Sequence, residues 1–382
     1  MEVYMSPKLI SAVVLSSVVM LSVVGCNDST DEKKVPPASS ESTSSVVPAA
    51  STPASTTPTP PSVTNPAATP TEAVAVTEDK WEQYNLGVRY GKGDGVEKDS
   101  KKAAEYFTKA AEQGLAAAQY NLAVLYAKGD GVTQDDKKAV EYFTKAADQN
   151  YLPAQTSLGI MYISGQGITQ DDKKAIEYFT KAAEKNDALA QFNLGAMYAQ
   201  GQGLTQDHAK AFEYFTKAAD QGLAAAQTNL GLMYDDGQGV PEDNKKAVEW
   251  YTKAAEQGDT DAQTDLGVMY DTGEGVAVDK KKAVEWYTKA AEQGNINAQY
   301  NLGLMYRDGE GVEQNLDKAV EWLQKAADAS HPEAQAALDE LYQEPAEDES
   351  TENAKPTEGA SEDSGDAKPT STAPTKETTD KK

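Results

Sequence analysis

Apolar residues return along the middle of the chain with a fixed period. Leu86, Leu122, Leu158, Leu194, Leu230, Leu266, Leu302 and Leu338 are each 36 residues apart. Tyr90, Tyr126, Tyr162, Tyr198, Tyr234, Tyr270, Tyr306 and Tyr342 keep the same spacing. Self-similarity at this period marks stacked supersecondary units. Within one unit, AQYNLAVLY sets Ala118, Leu122 and Tyr126 on one helical face. A loop, GDGVTQ, follows, and Asp135 is placed to cap a second helix by accepting orphan amide hydrogens of its first turn. That helix, KKAVEYFTKAADQ, offers Ala139, Val140, Phe143, Ala146 and Ala147 to a core and a Glu141–Lys145 pair to solvent. The cap recurs at Asp99, Asp171, Asp207, Asp243, Asp279 and Asn315. Gly114, Asn150, Asn186, Gly222, Gly258 and Gly294 stand where a left-handed residue ends a helix. The pattern predicts an all-α solenoid of seven 36-residue helical hairpins over residues 81–343, closed by a capping helix at EAQAALDELYQ.

The loop glycines invite a ligand reading. The residue between them is Asp, Asp, Gln, Gln, Gln, Glu and Glu along the chain. A calcium loop needs oxygen ligands at fixed places, and a phosphate loop needs a following Lys and Ser or Thr. Neither holds, so the glycines are read as turn chemistry, with weak calcium binding by the acidic edge at Asp235, Asp236, Asp271 and Asp308 as the alternative. A further glycine inside the first helix, at Gly87, Gly159, Gly195, Gly231, Gly267 and Gly303, is expected to permit close helix approach.

The flanks differ. Residues 1–25 carry an apolar run, LISAVVLSSVVMLSVVG, after a short start (or after MSPK, with initiation at Met5). The run is short, and broken by serines, for a spanning helix and reads as a secretory leader. VVGC resembles a bacterial lipobox, which implies that Cys26, the single cysteine, carries lipid and holds the protein to a membrane. Asn27 is not the aspartate associated with inner-membrane retention, so the analogy favours the outer membrane of a bacterial envelope. Residues 26–80 are rich in Ser, Thr and Pro and read as a disordered tether of roughly 40 Å or more. Residues 344–382 read as a disordered acidic tail.

The unit AQYNLGLMYRDGEGVEQNLDKAVEWLQKAAD, Ala298 to Asp328, resembles the Sel-one-like repeat family, a relative of the tetratricopeptide repeat. The resemblance implies a right-handed α-solenoid whose first helices line a concave groove. It also implies adaptor work: scaffolding, envelope signalling, polysaccharide assembly or contact with host proteins. Cysteine-rich members described as penicillin-binding or β-lactamase-like carry a disulfide in each repeat. This chain has none, so that enzymatic alternative does not carry over.

Chemistry is sparse. Net charge is −26, which disfavours nucleic acid as a partner. His208 and His331 have no metal spacing or triad partners and read as surface turn residues. No cofactor or metal is expected, and no catalytic set is found. The expected binding stripe lies on the first helices: Tyr84, Tyr120, Phe192 and Tyr300, with the amides Asn85, Asn121, Asn193, Asn229 and Asn301 beside them. Aromatics with interleaved amides suit an extended peptide of a protein partner. A carbohydrate-binding factor for polysaccharide export, with the rings as sugar platforms, is the alternative. Trp250, Trp286 and Trp322 on the second helices read as core.

Overall fold

The structure is a computed structural model that describes residues 79–342. The leader, Cys26, the tether up to residue 78 and the acidic tail lie outside the described residues. The described residues form helices and loops without a strand. The first helices of the hairpins are α1 (Lys80–Lys92), α3 (Ala116–Lys128), α5 (Leu152–Ser164), α7 (Ala188–Gln200), α9 (Ala224–Asp236), α11 (Thr260–Thr272) and α13 (Ile296–Asp308). Their partners are α2 (Ser100–Glu112), α4 (Asp136–Asp148), α6 (Asp172–Ala183), α8 (His208–Asp220), α10 (Asn244–Glu256), α12 (Lys280–Glu292) and α14 (Leu316–Asp328). α15 (Ala334–Tyr342) closes the stack. Each helix packs chiefly on the helix before it and the helix after it. That is the expected solenoid of seven hairpins and a cap.

The caps follow the sequence pattern. The Asp99 carboxylate accepts from the Lys101 and Lys102 amides at 3.0 Å. Asp135, Asp171, Asp207, Asp243, Asp279 and Asn315 accept from the amide three residues on. Asp79 caps α1 in the same way, so the helix starts at Lys80, a residue before the expected boundary.

Two glycine positions carry the stacking. In the loop, the second glycine is left-handed and also sits on the preceding hairpin. A Cβ on Gly131 would lie 2.1 Å from the Ser100 carbonyl oxygen, and one on Gly239 would lie 2.2 Å from that of His208. The loop therefore turns the chain and locks each unit onto the last. In the first helix, the mid-helix glycine faces the largest buried ring of the second. A Cβ on Gly231 would lie 2.6 Å from the Tyr251 ring, and one on Gly195 would lie 2.8 Å from Phe215. Close approach offsets the roughly 1 kcal/mol that mid-helix glycine costs. Phe107, Phe143, Phe179, Phe215, Tyr251, Tyr287 and Leu323 fill this core position, all fully buried.

Two ladders repeat along the stack. Gln149 donates to Gln119 at 2.7 Å within one hairpin, and Gln119 donates to the Ala111 carbonyl of the hairpin before it. The same pairing recurs at Gln191–Gln221, Gln227–Gln257 and Gln263–Gln293. The periodic tyrosines stack inside each hairpin, Tyr126 on Tyr142 with centroids 5.8 Å apart. Lys138 covers the Tyr126 ring. On the second helices, Glu141–Lys145, Glu177–Lys181, Glu213–Lys217 and Glu321–Lys325 pair as expected. Lys253 and Lys289 instead stand 3.6 Å over the Trp250 and Trp286 rings. The Trp positions are therefore half-buried lids on the core, not core themselves.

Candidate functional site

The first-helix face was expected to carry both the aromatic stripe and the amide ladder. The two fare differently.

The expectation that Tyr120, Phe192 and Tyr300 stand on an open surface is corrected. They are only 9%, 7% and 7% exposed and belong to core clusters. Tyr120 lies 5.5 Å from Phe143 and 5.4 Å from Tyr151, centroid to centroid. Phe192 lies 5.7 Å from Phe215. Tyr300 stacks on His331 at 4.2 Å. The reason is stacking: in the interior units this helix position is covered by the following hairpin. Tyr84, in the first hairpin, is half-buried between Trp81 and Phe107. His331 is corrected with Tyr300. It is buried, with Nδ1 accepting from the Glu333 amide, not a surface turn residue.

The amides form one register line, and several retain unmade bonds. Asn85 is exposed and Asn193 partly so, with its Nδ2 donating to the Leu189 carbonyl at 2.7 Å. Asn229 is buried and donates to the Ala225 carbonyl, while its Oδ1 accepts nothing among the described residues. Asn121 Nδ2 is likewise buried without a partner among the described residues, and the buried Asn301 amide lies against the Tyr287 hydroxyl. Buried amides are normally satisfied, so spare capacity along one line of a solenoid is notable. Residue 265 continues the line as an aspartate, partly exposed. Burial, then the charges of Asp261, Asp235, Asp259 and Asp236, hold its carboxyl well above the ordinary range. Partly buried apolar side chains, Val88, Ile160 and Leu232, lie one turn on. The expectation that Asn121, Asn229 and Asn301 line an open groove is corrected by their burial, and the face offers the amides of Asn85 and Asn193, patches of apolar surface and the acidic Asp265.

Sequence reasoning missed a set of contacts between units. The middle loop residue meets the first residue of the preceding second helix: Gln166 bonds Asp136 at 3.0 Å, Gln202 bonds Asp172 at 3.2 Å, and Glu310 meets Lys280 at 2.9 Å. Three loops thus use their middle residue to reach the preceding unit. Aligning residues 30 apart across units would have exposed it. Among the described residues, no group of three or more His, Cys, Asp or Glu could hold a metal ion, and no helix is long and apolar enough to cross a membrane.

The Sel1 repeat model matches seven times in succession, at residues 83–115, 116–151, 152–187, 188–223, 224–259, 260–295 and 296–331. A crystal structure of a protective antigen from uropathogenic Escherichia coli strains, displaying an SLR fold, is similar at 38% identity with a TM-score of 0.61. The likeness covers 69% of this chain and 56% of that one, so the chain matches little more than half of the antigen's length. A Sel1 repeat protein from Oxalobacter formigenes is similar at 36% identity and a TM-score of 0.60, over 69% of this chain and 77% of that one. No curated protein matches. The seven matched units coincide with the seven hairpins, and the chain is a member of the Sel1 repeat family.

Proposed function

We propose that this protein is a lipid-anchored adaptor of the bacterial cell envelope that binds a protein or peptide partner along its first-helix face. Sel1 repeat proteins are generally protein-interaction scaffolds, and the fold is mainly non-enzymatic. The observation that carries the partner-binding reading is the amide line. Its accessible members are Asn85 and Asn193, on the same face as the partly buried Val88, Ile160 and Leu232, and such a face gives an extended peptide hydrogen-bonding groups and apolar contact; Asn121, Asn229 and Asn301 are buried within the stack. The anchor rests on VVGC and Cys26, and the two similar proteins come from bacteria. The outer membrane is the proposed site on the strength of Asn27. The sugar-platform alternative needs exposed ring faces, and Tyr120, Phe192 and Tyr300 do not present them.

The test is affinity isolation from crosslinked envelopes. Asn193→Arg and Ile160→Arg, on the first-helix face, lose the partner that wild type retains. Glu177→Arg and Glu213→Arg, on exposed faces of the second helices, keep it. The reverse pattern places binding on the second helices and defeats the reading.

A further inference from the structure

The hairpins on either side of the α10–α11 junction depart from the earlier ones at their core ring. Phe107, Phe143, Phe179 and Phe215 fill that position in the first four hairpins, and Tyr251 and Tyr287 fill it in the fifth and sixth. A Cβ on Gly231 would lie 2.6 Å from the Tyr251 ring, and one on Gly267 would lie 2.6 Å from the Tyr287 ring, so the two rings sit in one register. The Tyr287 hydroxyl lies against Asn301, the member of the amide line on the next first helix. The same step from Tyr251 reaches Asp265 on α11. Tyr251 packs with Ala262, Leu266 and Met269, which flank Asp265 on that helix. Of the charges that its hydroxyl feels, that of Asp265 is the strongest.

The Tyr251 hydroxyl belongs to a fully buried side chain and has no hydrogen-bond partner among the described residues. A buried hydroxyl left unsatisfied costs stability that phenylalanine would not. Asp265 is partly exposed, and so opens the place that the hydroxyl faces to the first-helix surface. The charges acting on its carboxyl are those of Asp261, Asp235, Asp259 and Asp236, with no cation among them. Asp261 stands one turn earlier on the same helix, exposed, and accepts from Asn295 Nδ2 at 3.0 Å. Like charges at this spacing weaken a helix. The sixth unit thus holds an uncompensated acid and the fifth a silent hydroxyl, at one junction.

We propose that Asp265, with the Tyr251 hydroxyl behind it and Asp261 at its rim, receives an arginine side chain of the peptide that lies on the first-helix face. A guanidinium presents five N–H donors in a plane and no acceptor, which suits a carboxylate backed by a phenolic oxygen. Among the described residues no three acids gather to hold a metal ion. Asn85 and Asn193, on the same face, are neutral, so the arginine fixes the register in which the peptide lies along the stack. The source of the arginine rests on the adaptor reading, while the site rests on Tyr251, Asp261 and Asp265 alone.

The test uses the full chain, with fluorescent hexaarginine as the probe at about 0.15 M salt, where diffuse attraction is screened. Asp265→Asn is expected to weaken binding by about tenfold or more. Tyr251→Phe, which removes one oxygen and leaves the ring of the first four hairpins, is expected to weaken it by about threefold or more. Both variants are expected to melt no lower than wild type, so the weakening is not loss of fold. Asp220→Asn removes an exposed acid at the end of α8 and is expected to leave the affinity within about twofold. Equal weakening by Asp265→Asn and Asp220→Asn means diffuse acidity and overturns the proposal. Unchanged binding in either Asp265→Asn or Tyr251→Phe also overturns it. Hexalysine bound as tightly, with the same losses, overturns the assignment to arginine. A saturable rise in melting temperature with calcium, removed by Asp265→Asn, assigns the site to a metal ion and overturns it too. None of these results depends on the natural partner. Failure to capture an envelope protein removes the adaptor reading and leaves the site, whereas an overturning result here removes the site and leaves the adaptor.

Discussion

The ring of Tyr300 stacks on the imidazole of His331, centroids 4.2 Å apart and planes 15° from parallel. This contact fastens the last hairpin to the turn before α15. Burial holds the His331 imidazole below its ordinary value of 6.5, against the opposing pull of Glu333, which faces it together with Tyr300. A histidine with a lowered folded value binds fewer protons folded than unfolded. Its neutral form contributes stability that is present above about 6.5 and lost as pH falls toward the folded value. The melting temperature is expected to fall on acidification through that window. His331→Phe is expected to flatten the dependence, and a thermal scan at several pH values checks it.

Tyr120 and Phe143 touch within one core cluster. Tyr120→Ala and Phe143→Ala are both expected to cost about 3–5 kcal/mol, read by chemical denaturation. Asn193→Arg, on the partly exposed face, is expected to stay within about 0.5 kcal/mol of wild type. A Tyr120→Ala variant as stable as wild type would return that ring to the surface.

Asp265 stands where the other hairpins have Asn or Ser. Burial and then the neighbouring acids Asp261, Asp235, Asp259 and Asp236 raise its carboxyl, and the buried Tyr251 and Tyr287 hydroxyls feel its charge. A raised carboxyl contributes stability below its unfolded value, near 3.8, that is lost as pH rises through the folded value. Asp265→Asn is therefore expected to melt higher than wild type at neutral pH, with the gap closing toward pH 4. Equal melting at neutral pH contradicts this.

Cys26→Ala is expected to abolish labelling by a fatty-acid probe and to free the folded repeats from membranes, or to leave an uncleaved precursor. Equal labelling of variant and wild type removes the lipid anchor from the account.

The repeat, the caps and the turns were legible in the sequence because each depends on one residue type at one place. Asp135 caps because its own carboxylate reaches the Lys138 amide. Gly231 could be read as a close-approach site, though not that Tyr251 fills the space. The aromatic stripe was misread because exchange of Tyr120 with Thr156 resembles surface variation. In the fold, stacking buries both: Thr156 is 2% exposed and meets Asp187 of the next unit. The contact of Glu310 with Lys280 joins residues on different units, which single-helix periodicity does not reveal.

The central claim is that a partner lies along the amide line of the first helices. Its most direct test is a photo-reactive residue placed singly at Asn193 or at Glu213 in the full chain, irradiated in intact cells. The account predicts a discrete adduct, the same protein in repeated experiments, from position 193 and little or none from position 213. An adduct formed from 213 and absent from 193 would contradict it.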